Sequence, residues 1–144
     1  MSRLPKIALN TATETDLIPA LVPGTLAVLL VDDEPLIRWS LRRALVDRGH
    51  FVLTAGNATD AIAALSTGEV KFDAVILDYR LPDRQDLTLL DEVRRLSPQS
   101  AVFMMTAFAD DGMKSGAHDR GARAVVDKPF NVGSFVSLVE SAFK

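Results

Sequence analysis

Asp32 and Asp33 close the apolar run Leu26-Ala27-Val28-Leu29-Leu30-Val31, and Asp78 closes Ala74-Val75-Ile76-Leu77. In a parallel α/β sheet the carboxyl ends of strands open onto the crevice where ligands bind. Three carboxylates converging there repel one another unless a cation joins them. A hard divalent ion with oxygen ligands, Mg²⁺ above all, suits such a cluster. Two further strand ends add to it. Ala101-Val102-Phe103-Met104-Met105 ends in Thr106, and Ala124-Val125-Val126-Asp127 runs into Lys128-Pro129-Phe130. Metal, carboxylate, hydroxyl and ammonium together suit a phosphoryl group. Metal and lysine neutralise its oxygens, and the hydroxyl donates to one of them. A carboxylate in that setting can itself be the nucleophile that takes the phosphoryl group.

These residues need elements to position them. Short apolar runs alternate with helical patterns from Leu26 onward, the mark of βαβ units. Strands are expected over 26–31, 51–54, 73–77, 101–105 and 124–127, and helices over 35–48, 58–66, 86–96, 109–120 and 132–143. That alternation gives an α/β fold, a doubly wound, flavodoxin-like parallel sheet of order 2-1-3-4-5. Ile37, Leu41, Ala44 and Leu45 form the inward stripe of the first helix, and Gly49 stops it. Residues 1–24 read differently. Pro5, Pro19 and Pro23 punctuate a stretch rich in Thr and Ala, expected to be a mostly irregular extension whose Leu17-Ile18 and Leu21-Val22 could dock on the domain or a partner.

Four segments carry a family resemblance: Val31-Asp32-Asp33-Glu34-Pro35, Leu77-Asp78-Tyr79-Arg80-Leu81-Pro82-Asp83, Met105-Thr106-Ala107 and Asp127-Lys128-Pro129-Phe130. In order and spacing they resemble the receiver domain of two-component response regulators, chemotaxis-regulator-like, over residues 25–144. The resemblance implies that Asp78 accepts a phosphoryl group from a histidine. Asp33 would bind Mg²⁺ directly, Asp32 partly through water, and Arg80 through its main-chain carbonyl. Lys128 would pair with Asp78 and then with the phosphoryl oxygen, aimed inward by a cis bond to Pro129. Thr106 would donate to the phosphoryl group. Arg80 and Phe108 would shield the attacking water and slow dephosphorylation. The implied partners are a histidine kinase or a histidine phosphotransfer protein, with Trp39, Arg38, Arg42 and Arg43 as its docking patch. An unknown output partner follows, with a homodimer through the fourth helix, fifth strand and fifth helix. Such a domain is a phosphorelay switch, not a turnover enzyme.

The chain departs from that family at several places. Asp86 stands where a glycine is usual, and either the loop still turns or Asp86 caps the next helix. Val125 replaces an aromatic switch residue. Gly112 and Gly116 interrupt the fourth helix, each costing ~1 kcal/mol against Ala, so this helix is expected to be thin and mobile. These departures favour an alternative, a constitutive interaction module that keeps the pocket and switches weakly. A phosphatase of the haloacid dehalogenase class would want Asp-x-Asp on the first strand, which Asp32-Asp33-Glu34 does not provide. A flavodoxin would want phosphate-binding amides from Gly, Ser and Thr there instead of acids.

Composition sets outer bounds. A chain of 144 residues, 48% hydrophobic, makes one domain with an extension. The net charge of −3 leaves no electrostatic footprint for direct nucleic-acid binding. There is no cysteine, hence no disulfide or thiol chemistry. No apolar run approaches the ~20 residues that span a membrane, and no apolar segment follows Arg3 and Lys6 to make a signal peptide. The expected location is cytoplasmic. His50 and His118 are read as surface residues.

Overall fold

The computed structural model describes residues 24–107 and 110–144. Five strands and five helices alternate: β1 (Ala27–Val31), α1 (Pro35–Asp47), β2 (Phe51–Ala55), α2 (Ala58–Ser66), β3 (Ala74–Asp78), α3 (Thr88–Leu96), β4 (Ala101–Thr106), α4 (Asp111–Asp119), β5 (Ala122–Asp127) and α5 (Val132–Ser141). The sheet is parallel throughout with order β2-β1-β3-β4-β5, the order expected from sequence. The N-terminal extension up to Pro23, with Leu17-Ile18 and Leu21-Val22, lies outside the described residues, as does Phe108.

Every residue of β1 and β3 is buried, which explains their unbroken apolar runs: helices cover both faces of a parallel sheet. The side chains still alternate. Leu29, Val31, Val75, Leu77 and Met104 join α2, α3 and α4 in one core layer. Val28, Leu30, Ile76, Phe103 and Met105 join Leu41 and Leu45 of α1 and Phe135, Val136 and Val139 of α5 in the other. Burial of such side chains contributes ~1.5–3 kcal/mol each.

The turns follow local chemistry. Pro35 opens α1 at a position where a missing N–H costs nothing. Gly49 follows α1 at φ 92°, as expected. The third helix begins two residues later than expected. Asp86 takes the Thr88 N–H at 3.0 Å and the Thr88 hydroxyl, so its side chain shapes the turn ahead of α3. Asp110 caps α4 by accepting from Met113 N–H at 2.7 Å. The fifth strand begins two residues early because Ala122 already pairs with Val102 across a register irregularity. Gly116 has a packing reason: a Cβ there would lie 3.1 Å from Leu87 Cδ1, so glycine lets α4 settle close over the entry to α3.

One expectation is overturned. His50 is buried, not at the surface. Its Nδ1 accepts the Leu26 N–H at 3.0 Å, and its Nε2 lies 2.7 Å from Glu140 Oε2, so the ring carries its proton on Nε2. Arg48 grips the same carboxylate through two bonds of 2.8 and 2.6 Å. Burial is affordable for this imidazole because both nitrogens are satisfied. His118 is exposed as read.

Candidate functional site

The site lies at the carboxyl edge of the sheet, where the strand order reverses between β1 and β3. Val31 pairs in register with Leu77, so the residues that follow, Asp32 and Asp78, emerge side by side. Asp32 is fully buried and Asp78 nearly so, while Asp33 faces solvent. One carboxylate oxygen from each of Asp32, Asp33 and Asp78 lies within 4.8 Å of the others. This is an all-oxygen, multiply charged set, matched to a hard cation such as Mg²⁺ or Ca²⁺ and not to zinc or copper.

Main-chain bonds hold the acids in place. The Asp32 N–H donates to the Ala55 carbonyl at 3.0 Å. Asp32 Oδ1 accepts the Glu34 N–H at 2.8 Å, and Asp78 Oδ1 accepts the Arg80 N–H at 3.2 Å. Lys128 enters from the end of β5, its N–H bonded to the Thr106 carbonyl at 2.8 Å. The Lys128–Pro129 peptide bond is cis. The lysine Nζ donates to Asp32 Oδ2 at 3.2 Å, to Glu34 Oε1 at 2.7 Å and to Asp78 Oδ2 at 3.0 Å. Thr106 is buried at the end of β4. A cavity of about 360 Å³ opens in front of Asp78, lined also by Asp33, Glu34, Arg80, Gln85 and Lys128.

Electrostatics follow from this crowding. Burial pushes the Asp78 carboxyl up to about 6, and the Asp32 charge adds to the rise against the opposing pull of Lys128. Burial disfavours the Lys128 charge, yet hydrogen bonds to Glu34 and Asp78 and the charges of Asp78 and Asp32 outweigh it and hold its pKa above the ordinary lysine range. The lysine is therefore a fixed cation, and a second, divalent cation would relieve the remaining repulsion.

Asp32, Asp33, Asp78, Thr106, Lys128 and Arg80, all chosen from sequence, meet at this edge. Glu34 was missed as a partner of Lys128. Its signal was an acid between the aspartate pair and the proline that opens α1. The proposed arginine patch shrinks. Arg38 turns inward and donates to the Asp32 carbonyl at 2.8 Å. Trp39 stays 61% exposed with the Arg43 guanidinium 6.0 Å from its ring centroid, and Leu36 beside it is 73% exposed.

Comparisons with known proteins agree in one direction. A family model described as the response regulator receiver domain matches residues 28–140. The chain is 36% identical over 115 residues to the DNA-binding transcriptional regulator NtrC of Salmonella typhimurium, covering 80% of this chain and 24% of that protein. It is 32% identical over 118 residues to the transcriptional regulatory protein PdtaR of Mycobacterium tuberculosis, covering 80% of this chain and 55% of that one. The chain thus spans about a quarter of the first relative and about half of the second. Among solved structures, a CheY-like receiver domain protein from Methanospirillum hungatei superposes with a TM-score of 0.77 at 25% identity, over 82% of this chain and 93% of that one. A response regulator from Burkholderia pseudomallei, solved with a phosphorylated aspartic acid, a calcium ion and citrate, superposes with a TM-score of 0.73 at 26% identity, over 82% of this chain and 70% of that one.

Proposed function

This chain belongs to the response regulator receiver domain family, and on that footing we propose that Asp78 accepts a phosphoryl group from a phosphohistidine with Mg²⁺ held beside it. The observation that supports this reading is the lone arrangement, among the described residues, of three acids within 4.8 Å with a lysine 3.0 Å from Asp78.

In this reading Asp32, Asp33 and Asp78 would hold the cation together with the main-chain carbonyl of Arg80. The bound ion would offset negative charge on the entering phosphoryl oxygens. Asp78 Oδ is the nucleophile. The open cavity admits the donor in front of it, and burial leaves the carboxylate poorly solvated and ready to bond. Lys128, already bonded to Asp78, takes a phosphoryl oxygen once the group arrives. The Thr106 hydroxyl donates to another. No covalent step besides the transfer is asked of the protein, so positioning and charge carry the work.

The phosphodonor, a histidine kinase or phosphotransfer protein, would dock on the exposed Leu36–Trp39 surface with Arg42 and Arg43. The output partner, and a homodimer through α4, β5 and α5, are proposals of the same standing, as are a cytoplasmic location and a domain start near residue 25. No helix among the described residues is long and apolar enough to cross a membrane.

Acetyl phosphate with Mg²⁺ provides the test. Intact-mass measurement is expected to show one phosphoryl group on the unmodified chain and none on Asp78→Asn. Equal labelling of the two would sink the assignment. An unlabelled wild type that still binds its partners would favour the constitutive module, to which Val125, partly buried in place of an aromatic ring, lends support.

A further inference from the structure

The loop between β3 and α3 carries Arg80 at one end and Asp83 at its crown. Asp83 is exposed and lies outside the acidic cluster. Its carboxylate is nevertheless fully engaged. Oδ1 accepts the Ala58 N–H at 2.8 Å, and Oδ2 accepts the Thr59 N–H at 2.9 Å and the Thr59 hydroxyl at 2.8 Å. Ala58 and Thr59 open α2.

That helix has a cap of its own besides Asp83. Its own N-cap, Asn57, accepts the Asp60 N–H at 2.7 Å. An Asx cap of this kind satisfies one of the orphan donors of a helix start, and Asp83 takes two others, the N–H groups of Ala58 and Thr59. The second carboxylate comes from 25 residues away in sequence, so its bonds join two segments and fix the loop against α2. The loop is a small closed unit that can be held from one point. Leu81 N–H donates to Arg84 O at 3.0 Å and Arg84 N–H to Leu81 O at 3.3 Å. The Leu81 side chain is buried beneath. Arg80 precedes this ring directly, so the place of the crown fixes the place of the Arg80 carbonyl.

We propose that Asp83 is a positioning residue for the metal site: by clamping the crown of the β3–α3 loop onto the first turn of α2, it sets the Arg80 carbonyl where Mg²⁺ needs it. The inference rests on the reading of the acidic cluster as a Mg²⁺ site. Asp83 touches neither the cation nor the phosphoryl group, and acts through the main chain.

Calorimetric titration of Mg²⁺ into the full chain, well below the melting temperature, tests it. Asp83→Ala is expected to weaken Mg²⁺ binding about tenfold, the lower end of what loss of an outer partner costs a metal site. Asp83→Asn keeps an oxygen for the main-chain donors and should fall between, nearer the wild type. Asp60→Asn removes the same charge from the same helix end without touching the loop, and should stay within about twofold. Amide exchange in residues 79–84 should quicken in Asp83→Ala and not in Asp60→Asn. A wild type that binds Mg²⁺ while Asp83→Ala binds equally well would overturn this inference alone. Equal weakening in Asp83→Ala, Asp83→Asn and Asp60→Asn would overturn it as well, leaving a plain charge effect. A wild type that binds no Mg²⁺ would overturn the metal reading and this inference with it.

Discussion

The ammonium of Lys128 lies 2.7 Å from Glu34, nearer than to Asp78 at 3.0 Å or Asp32 at 3.2 Å. Of the three carboxylates, Glu34 alone is outside the acidic trio that could share a metal. The lysine therefore keeps one partner when a cation claims the other two.

Removing either side of this pair should have unequal cost. Glu34 is 55% exposed in its side chain, so Glu34→Gln should change stability by less than about 1 kcal/mol. Lys128→Met leaves Asp32 and Asp78 buried without their counter-charge and should cost about 3 kcal/mol. Urea unfolding in chelator checks the order. Addition of Mg²⁺ should recover part of the Lys128→Met loss.

Neutralising the acceptor should stabilise the metal-free protein. Asp78 is raised from the usual 3.8 to about 6, first by burial and then by Asp32. Its ionised form is thus penalised in the folded chain. The penalty is absent below pH 3.8, where the carboxyl is protonated folded or unfolded, and full above about 6. At neutral pH Asp78→Asn should gain on the order of 1–3 kcal/mol, reduced by the weaker bond to Lys128. A lower melting temperature than wild type in chelator would contradict this.

Mg²⁺ itself should stabilise the wild type. A ligand that binds only the folded chain adds about 1.4 kcal/mol at ten times its Kd, several degrees of melting temperature at this size. Asp33→Ala, which removes the exposed ligand, should lose most of the gain. Thermal melts with and without millimolar Mg²⁺ measure it.

Acid should weaken the opposite edge of the sheet. The Arg48 hydrogen bond above all, then the bond to His50, holds Glu140 at about 2 against the opposing effect of burial. A depressed carboxyl gives stability that is full above about 4.5 and lost as pH falls toward about 2. Glu140→Gln should lack this part of the acid slope. Urea midpoints at pH 7, 4 and 3 for the two proteins should converge as the pH falls.

The fourth helix should respond to occupancy of the site. Ala117 is the only residue of α4 that is buried, so its local stability is low. Lys114 ties it to Asp127 at 3.1 Å, and Asp127 pairs in register with Thr106. Amide exchange over residues 110–120 should slow when beryllofluoride and Mg²⁺ are bound. Unchanged exchange with Asp78 proven occupied would favour the constitutive module.

The parts legible in the sequence share one cause. Strand-end acids announce themselves because an apolar run stops at each, and β1 and β3 are apolar on both faces. The convergence of Asp32, Asp78, Thr106 and Lys128 then follows from sheet order. What escaped depends on where long side chains reach after folding. Arg38 reads as one of a basic group, yet it turns back to the Asp32 carbonyl. His50 reads as a surface residue, yet Leu26 and Glu140, remote in sequence, supply the partners that let it be buried. The start of α3 falls at Thr88 and not at the expected 86, since Asp86, read as turning the loop or capping the helix, bonds Thr88 from the turn ahead of it. Gly116 reads as a weakness until the contact with Leu87 is seen.

The two ends of β1 serve different masters. Its approach is fastened through Leu26 to His50 and Glu140, and its exit delivers Asp32 to the acid cluster. From Leu26 to Asp32 the extended chain covers about 20 Å, beyond the ~7–10 Å over which substitutions couple. Durability and chemistry are therefore separable quantities in this domain. The His50–Glu140–Arg48 end can be reinforced or loosened to set how long the protein lasts, and the site at the far end need not register the change.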